Sequence, residues 1–182
     1  PGWRAAELLR ETDPRLAGVL SEIEYSSAVS VNIGFDPAPA LPAGSGFVVA
    51  DARALLAATF AHQKFPGRAP AGAGVVRMFY GGPRAAWKDR RLARQAGADA
   101  RGILGARLGN ALKVRVDRWP RAMPQYTIEH AARMAAITRE LGGVKGLALA
   151  GNAYSGIGIP DCIASGRAAA RRILGRTMGI ET

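Results

Sequence analysis

The stretch "GNAYSGIGIPDCIASGRAAARRIL", residues 151–174, follows the short apolar run "LALA" and joins a glycine-rich loop to a helical pattern. Gly151, Gly156 and Gly158 carry no Cβ, so the loop is free to turn with positive φ and to let a flat or bulky group approach its backbone. Pro160 suits the first turn of a helix and Asp161 suits its positive end, predicting a helix over residues 160–174. Small residues Ala164, Ser165, Gly166 and Ala168 predict close packing of that helix on a sheet, with Arg167, Arg171 and Arg172 turned to water. A helix N-terminus of this kind attracts negative charge. The spacing does not match the dinucleotide fingerprint GxGxxG, and a strand-to-helix turn that binds nothing accounts for the bare pattern equally well.

Upstream, "WRAAELLRET" and "DPRLAGVLSEI" read as two short helices, the second with Asp13 and Pro14 as cap and first-turn residue. The period then changes to two. Residues 25–35, "YSSAVSVNIGF", alternate and are rich in β-branched residues; "GFVVA" at 46–50 and "VVRMFYGG" at 75–82 are further strands. "LLAATFAHQ" between them suits a helix or a strand, and is assigned as a strand that completes an antiparallel sheet. Beyond Pro83 an apolar stripe of Leu92, Ala96, Ala100, Ile103, Leu104 and Leu108 predicts a helix, weakened by Gly97 and Gly102. "LKVRVDRW" at 112–119 reads as a strand, a helix capped by Thr127 carries His130, Met134, Ile137 and Leu141, and "GLALAG" is a last short strand. The fold class expected is α/β, of the α+β kind.

With 182 residues, 48% of them hydrophobic, the chain suffices for one sizeable core. No apolar run reaches the length of a membrane span, and no secretory leader opens the sequence, so a cytoplasmic protein is expected. A single cysteine, Cys162, excludes an internal disulfide framework. The net charge of +11 invites a reading as a basic module for nucleic acid or an anionic membrane. Of the 25 basic residues 21 are arginines scattered through Ala- and Gly-rich sequence, and aromatic residues are not interleaved with them as single-strand binding requires, so no nucleic-acid partner is expected. His62 and His130 have no Cys or carboxylate at metal-ligand spacing and read as structural histidines, which leaves no metal site. Cys162 reads as a small packed residue and "KFPGRAP" as a surface turn, with Arg68 a lesser candidate for a carboxylate.

Five segments in order, "GSGFVVA", "KFPGRAP", "RMFYGG", "RWPRAMPQYTIEH" and the closing loop with its helix, resemble the oxygen-using, FAD-dependent protoporphyrinogen oxidases of the flavin amine oxidase superfamily. The resemblance covers nearly the whole chain. It implies the C-terminal part of a two-domain flavoprotein, with residues 1–111 as the remainder of the substrate-binding domain and 112–182 as the return to the FAD-binding domain. An N-terminal segment with GxGxxG would then be missing. It further implies FAD contacts at Trp119, Ile157, Gly158 and Ile159, where backbone N–H groups meet the negative charge of a reduced flavin. Gly46, Val48 and Phe79 would line a porphyrinogen pocket; Ser45 stands where the motif commonly has an aromatic residue.

The reaction so implied is hydride transfer from porphyrinogen to flavin, with reoxidation by dioxygen and release of hydrogen peroxide, and no catalytic base is identified. The resemblance also admits coproporphyrinogen as substrate, a homodimer, and peripheral contact with the inner face of the cell membrane. A flavoenzyme acting on amines or carotenoid precursors is the more distant alternative.

Overall fold

The computed structural model describes residues 1–50, 55–105, 108 and 111–175. Its elements in chain order are α1 (Gly2–Leu9), α2 (Pro14–Ser21), β1 (Tyr25–Phe35), β2 (Gly46–Val48), β3 (Leu55–Phe60), α3 (Ala61–Lys64), β4 (Gly74–Tyr80), α4 (Asp89–Leu104), β5 (Ala111–Pro124), α5 (His130–Gly142) and α6 (Ile159–Leu174). A 3₁₀ turn at Gly82–Ala86 leads into α4. The mixture is α+β, as the periodicities predict. The chain forms two compact units: Pro1–Tyr25 together with Met123–Thr182, and the continuous stretch Ser26–Ala122 between them. The expected division after Ala111 falls inside the second unit, because β5 stays hydrogen-bonded in the sheet well beyond that point.

The sheet unit is a five-stranded sheet in the order β2-β3-β4-β1-β5. β1 pairs antiparallel with β4 (Val31 opposite Met78), β3 with β4 (Ala58 opposite Met78) and β2 with β3 (Phe47 opposite Ala58). Along β1, Gly34 meets Lys113, Asn32 meets Asp117 and Ser27 meets Arg121, the order of contacts in an antiparallel neighbour. "LLAATFAHQ" is therefore strand at Leu55–Phe60 and helix only at Ala61–Lys64. A bulge between Leu55 and Ala57 keeps Leu55, Ala58 and Phe60 on one face, where they join Val29, Val31, Ile33, Val76, Met78 and Tyr80.

α4 covers that face with the predicted stripe: Leu92, Ala96 and Ala100 are buried. Ile103 departs from it and is exposed, because the helix ends one residue later and Gly105, at φ +82, turns the chain away. Burial of each large aliphatic here is worth about 1.5–3 kcal/mol. Arg118 locks β5 to this layer, donating to the Asp89 carboxylate and to the carbonyls of Ala85 and Trp87.

In the helical unit, Asp13 accepts from the Leu16 N–H at 3.0 Å and so caps α2 as the sequence indicates. Leu16, Leu20 and Ile23 pack with Ile137 and Leu141 of α5. Residues 147–150 are not a strand, contrary to expectation: no strand among the described residues pairs with them, and a ladder needs a partner. α6 has no buried residue among those described. Its small residues Ser165, Ala168 and Ala169 face a cleft of about 300 Å³ shared with Met134, Ile137, Leu149 and Tyr154 rather than a sheet. Arg172 is exposed, as expected, but it is not free. Its guanidinium donates to the carbonyls of Leu147 (3.0 Å) and Leu141 (2.5 Å), satisfying the C-terminal end of α5.

Candidate functional site

The alternation of the strands decides which candidate residues share a surface. On β4, Val76, Met78 and Tyr80 face α4, so Phe79 and Arg77 occupy the opposite face. Register carries that face across the sheet: Phe79 lies beside Ala57, Ala57 beside Val48, and one row over Arg77 lies beside Thr59 and Thr59 beside Gly46. On the other side Phe79 neighbours Ser30 and Arg77 neighbours Asn32. On β5, Val116 and Arg118 turn toward α4, which leaves Asp117 and Trp119 on the far face, and the antiparallel progression brings Trp119 to the level of Ser30. Gly46, Val48, Phe79 and Trp119, chosen from sequence for two different ligands, thus share one face of one sheet.

That face has two kinds of row. One is apolar and aromatic: Val48, Ala57, Phe79, the small Ser30, and Trp119, with Val48 and Trp119 strongly exposed. The adjacent row is polar. Arg77 Nε donates to Asn32 Oδ1 at 2.7 Å, Asn32 Nδ2 donates to Asp117 Oδ2 at 3.0 Å, and Arg115 Nε donates to Asp117 Oδ1 at 2.7 Å. Gly46, at φ +142, has no room for a side chain, since a Cβ there would lie 2.1 Å from the Ala58 carbonyl oxygen. The glycine keeps the edge strand flush with its neighbour.

The second cluster is the loop before α6. Gly151 and Gly156 adopt φ +129 and +135, whereas Gly158, at φ −70, needs no glycine-only conformation. The Asp161 carboxylate fills the space where a Gly156 Cβ would stand and accepts from the Gly158 N–H at 3.0 Å. Of the three N–H groups expected to meet a flavin, that of Gly158 is therefore already engaged. Those of Ile157 and Ile159 have no partner among the described residues, and both side chains are exposed. Two unpaired donors at the positive end of a sixteen-residue helix fit the electron-rich edge of a flavin.

The rest of the loop is held from below. Tyr126, which sequence reading passed over, accepts from the Gly156 N–H (2.8 Å) and donates to the Asn152 carbonyl (3.0 Å). Its ring stacks on His130, whose Nε2 lies 3.0 Å from the Tyr154 carbonyl. His130 so supports the loop through Nε2, while its buried Nδ1 has no partner among the described residues. His62 braces β4, its Nδ1 accepting from the Val75 N–H at 3.1 Å. Burial, with Tyr25 nearby, pushes the Tyr154 phenol up to about 12. Tyr80 is held still further above the ordinary phenol range by burial and by its 2.8 Å bond to Asp99, beneath the sheet. Arg68 sits in the "KFPGRAP" turn over the Phe65 ring. Cys162 is half-buried within α6, and no group of three or more metal-ligating side chains occurs among the described residues.

Residues 4–174 match the family model for flavin containing amine oxidoreductases, and the chain belongs to that family. It is 32% identical to a coproporphyrinogen III oxidase of Propionibacterium freudenreichii subsp. freudenreichii, over 93% of this chain and 33% of the relative. It is 33% identical to chloroplastic protoporphyrinogen oxidase 1 of Spinacia oleracea, over 90% of this chain and 32% of that one. Among solved structures it superposes with TM-score 0.74 on a protein of Exiguobacterium sp. 255-15 provisionally named protoporphyrinogen oxidase, at 30% identity, covering 90% of this chain and 38% of the other. The chain spans about a third of the length of the curated relatives it matches.

Proposed function

We propose that this chain forms the C-terminal part of an FAD-dependent porphyrinogen oxidase, in which the sheet face carries the substrate and the loop before α6 meets the flavin. The observation that supports it best is the gathering of Gly46, Val48, Phe79 and Trp119 on one face, half aromatic and half aliphatic, in a chain of the flavin amine oxidoreductase family. A flat macrocycle asks for such walls with few polar groups to orient it. When bound, FAD would supply the two-electron redox chemistry, with dioxygen as the acceptor.

What this chain contributes is positioning and electrostatics. Phe79, Val48 and Trp119 present apolar surface that excludes water from one side of the ring. Ile157 and Ile159 offer unpaired N–H groups toward the electron-rich edge of the cofactor, and Asp161 holds the loop in the shape that exposes them. No side chain here is assigned as a base. Protoporphyrinogen is the substrate the sequence motifs suggest. A second reading, coproporphyrinogen, is favoured by the polar row beside Phe79 and by the names of several relatives. We further propose a cytoplasmic setting; no helix among the described residues is long and apolar enough to cross a membrane.

The test is to incubate the holoenzyme carrying this chain aerobically with each porphyrinogen and to follow porphyrin absorbance alongside peroxide. Formation of porphyrin with peroxide is expected. Failure to oxidise either substrate with flavin fully bound would overturn the assignment.

A further inference from the structure

On the substrate face of the sheet, two positions along β4 from Phe79, stands an arginine the reaction as outlined does not use. Arg77 is exposed, and its Nε is fixed by Asn32 Oδ1 at 2.7 Å. No carboxylate among the described residues pairs with it, although arginines elsewhere in the chain find one: Arg115 with Asp117 and Arg118 with Asp89. The nearest acid in the row, Asp117, is occupied by Arg115 on one oxygen and by Asn32 on the other. The line Arg77, Asn32, Asp117, Arg115 therefore carries one positive charge more than negative, and the excess sits at Arg77.

The way Arg77 is held matters more than its charge. A guanidinium bonded through Nε has its torsions restrained while the two terminal nitrogens remain available as a fork, the arrangement that receives a carboxylate by two parallel hydrogen bonds. Register puts that fork in the row next to Phe79, Ser30 and Trp119, and Thr59 and Gly46 continue the same row toward the sheet edge without bulk or charge. A flat apolar ring lying on the aromatic row would project an acidic substituent toward Arg77.

We propose that Arg77 is a specificity-determining residue that binds a propionate carboxylate of the tetrapyrrole and so sets the ring's orientation on the sheet. This rests on the porphyrinogen reading, and goes beyond it by naming the group recognised and the residue that recognises it. Asn32 is then a positioning residue, acting through Arg77.

The experiment uses the holoenzyme carrying this chain, with coproporphyrin III and its tetramethyl ester as probes, their binding followed by fluorescence. The ester keeps the ring and removes the charges. A charge-assisted hydrogen bond of about 1.5–3 kcal/mol corresponds to roughly a tenfold to hundredfold loss in affinity. Arg77→Leu should weaken the free acid by that factor and leave the ester within about twofold, while Arg77→Lys should recover part of the loss for the acid. In turnover the same substitution should raise KM for coproporphyrinogen more than it lowers kcat. Asn32→Ala should show the same acid-selective loss, smaller in size. Equal weakening of acid and ester by Arg77→Leu would show a merely structural role and overturn the proposal. Unchanged affinity for the acid would do so as well. A holoenzyme that oxidises porphyrinogens yet fails this test refutes the role of Arg77 alone, whereas one that oxidises none refutes the underlying reading.

Discussion

Gly46→Ala is the sharpest single test of how the sheet face is assembled. The glycine sits in the edge strand β2 at φ +142, and a Cβ there would lie 2.1 Å from the Ala58 oxygen and 2.9 Å from the Thr59 Cα. Both are backbone atoms of β3, so no side chain can swing aside. Gly44 offers the matched control: at φ +128 it carries the same conformational demand, with nothing within 4 Å of its Cβ. Gly44→Ala should therefore cost only the backbone strain, about 1–2 kcal/mol. Gly46→Ala should cost that strain plus about 1–3 kcal/mol of overpacking.

The upper limit on the second substitution is release of β2 from the sheet, which would also free Phe47 from its edge-on contact with Phe60. At about 2–4 °C per kcal/mol for a protein of this size, Gly46→Ala should melt about 2–12 °C below Gly44→Ala. Amide exchange should locate the damage at the two hydrogen bonds that flank β2, Phe60 N–H to Ser45 and Val49 N–H to Leu56. Equal melting temperatures for the two variants, with protection at Phe60 and Val49 retained, would refute the close approach of β2 to β3.

Three further outcomes are expected. The purified, desalted chain of these 182 residues should show no stoichiometric flavin absorbance, since a loop and one helix cover little of FAD; a band at equimolar occupancy would contradict this. In the holoenzyme, Gly158→Leu should crowd Asp161 Oδ2, 2.9 Å from the position of its Cβ, and weaken FAD by roughly one or two decades in an apoenzyme titration, with Arg171→Leu as the exposed control; Arg172 is unsuitable because it caps α5. Because the Tyr80 and Tyr154 phenols are held above their ordinary value, the unfolded chain releases these protons first. Stability they contribute is present below about pH 10 and is lost as pH rises through the folded values, so urea midpoints should fall from about pH 10 upward, and less steeply in Tyr154→Phe.

Much of the fold was legible because its signals are local. Alternation in "YSSAVSVNIGF" gives β1 to the residue, Asp13 marks the start of α2, and the Leu92, Ala96, Ala100 stripe gives the buried side of α4. Residues 147–150 misled because an apolar run signals burial, and only a partner strand makes it a strand. Helical spacing puts Arg172 at the surface, where it is, but cannot show which carbonyls lie nearby. Within the site, motif resemblance picked out Gly46, Val48, Phe79 and Trp119, but their sharing of one face depends on register and on the β3 bulge, which no local pattern reveals. Arg77 was within reach, since it stands two residues before Phe79 in an alternating strand and must therefore share its face. Tyr126 was not, for its partners lie 26 and 30 residues away.

The sheet unit is one unbroken stretch, while the helical unit is made of two stretches that the sheet unit separates. The chain leaves and re-enters the helical unit at one place, where the Gln125 N–H meets the Glu24 carbonyl at 2.9 Å. During synthesis this imposes an order. Leu16, Leu20 and Ile23 emerge early, but Ile137 and Leu141, which cover them, are made only after the whole intervening sheet. At about 5–20 residues per second the wait is about 5–20 s, long compared with the formation of a helix or hairpin. The sheet can close on itself meanwhile, whereas α2, packed on α1, waits for its cover from α5.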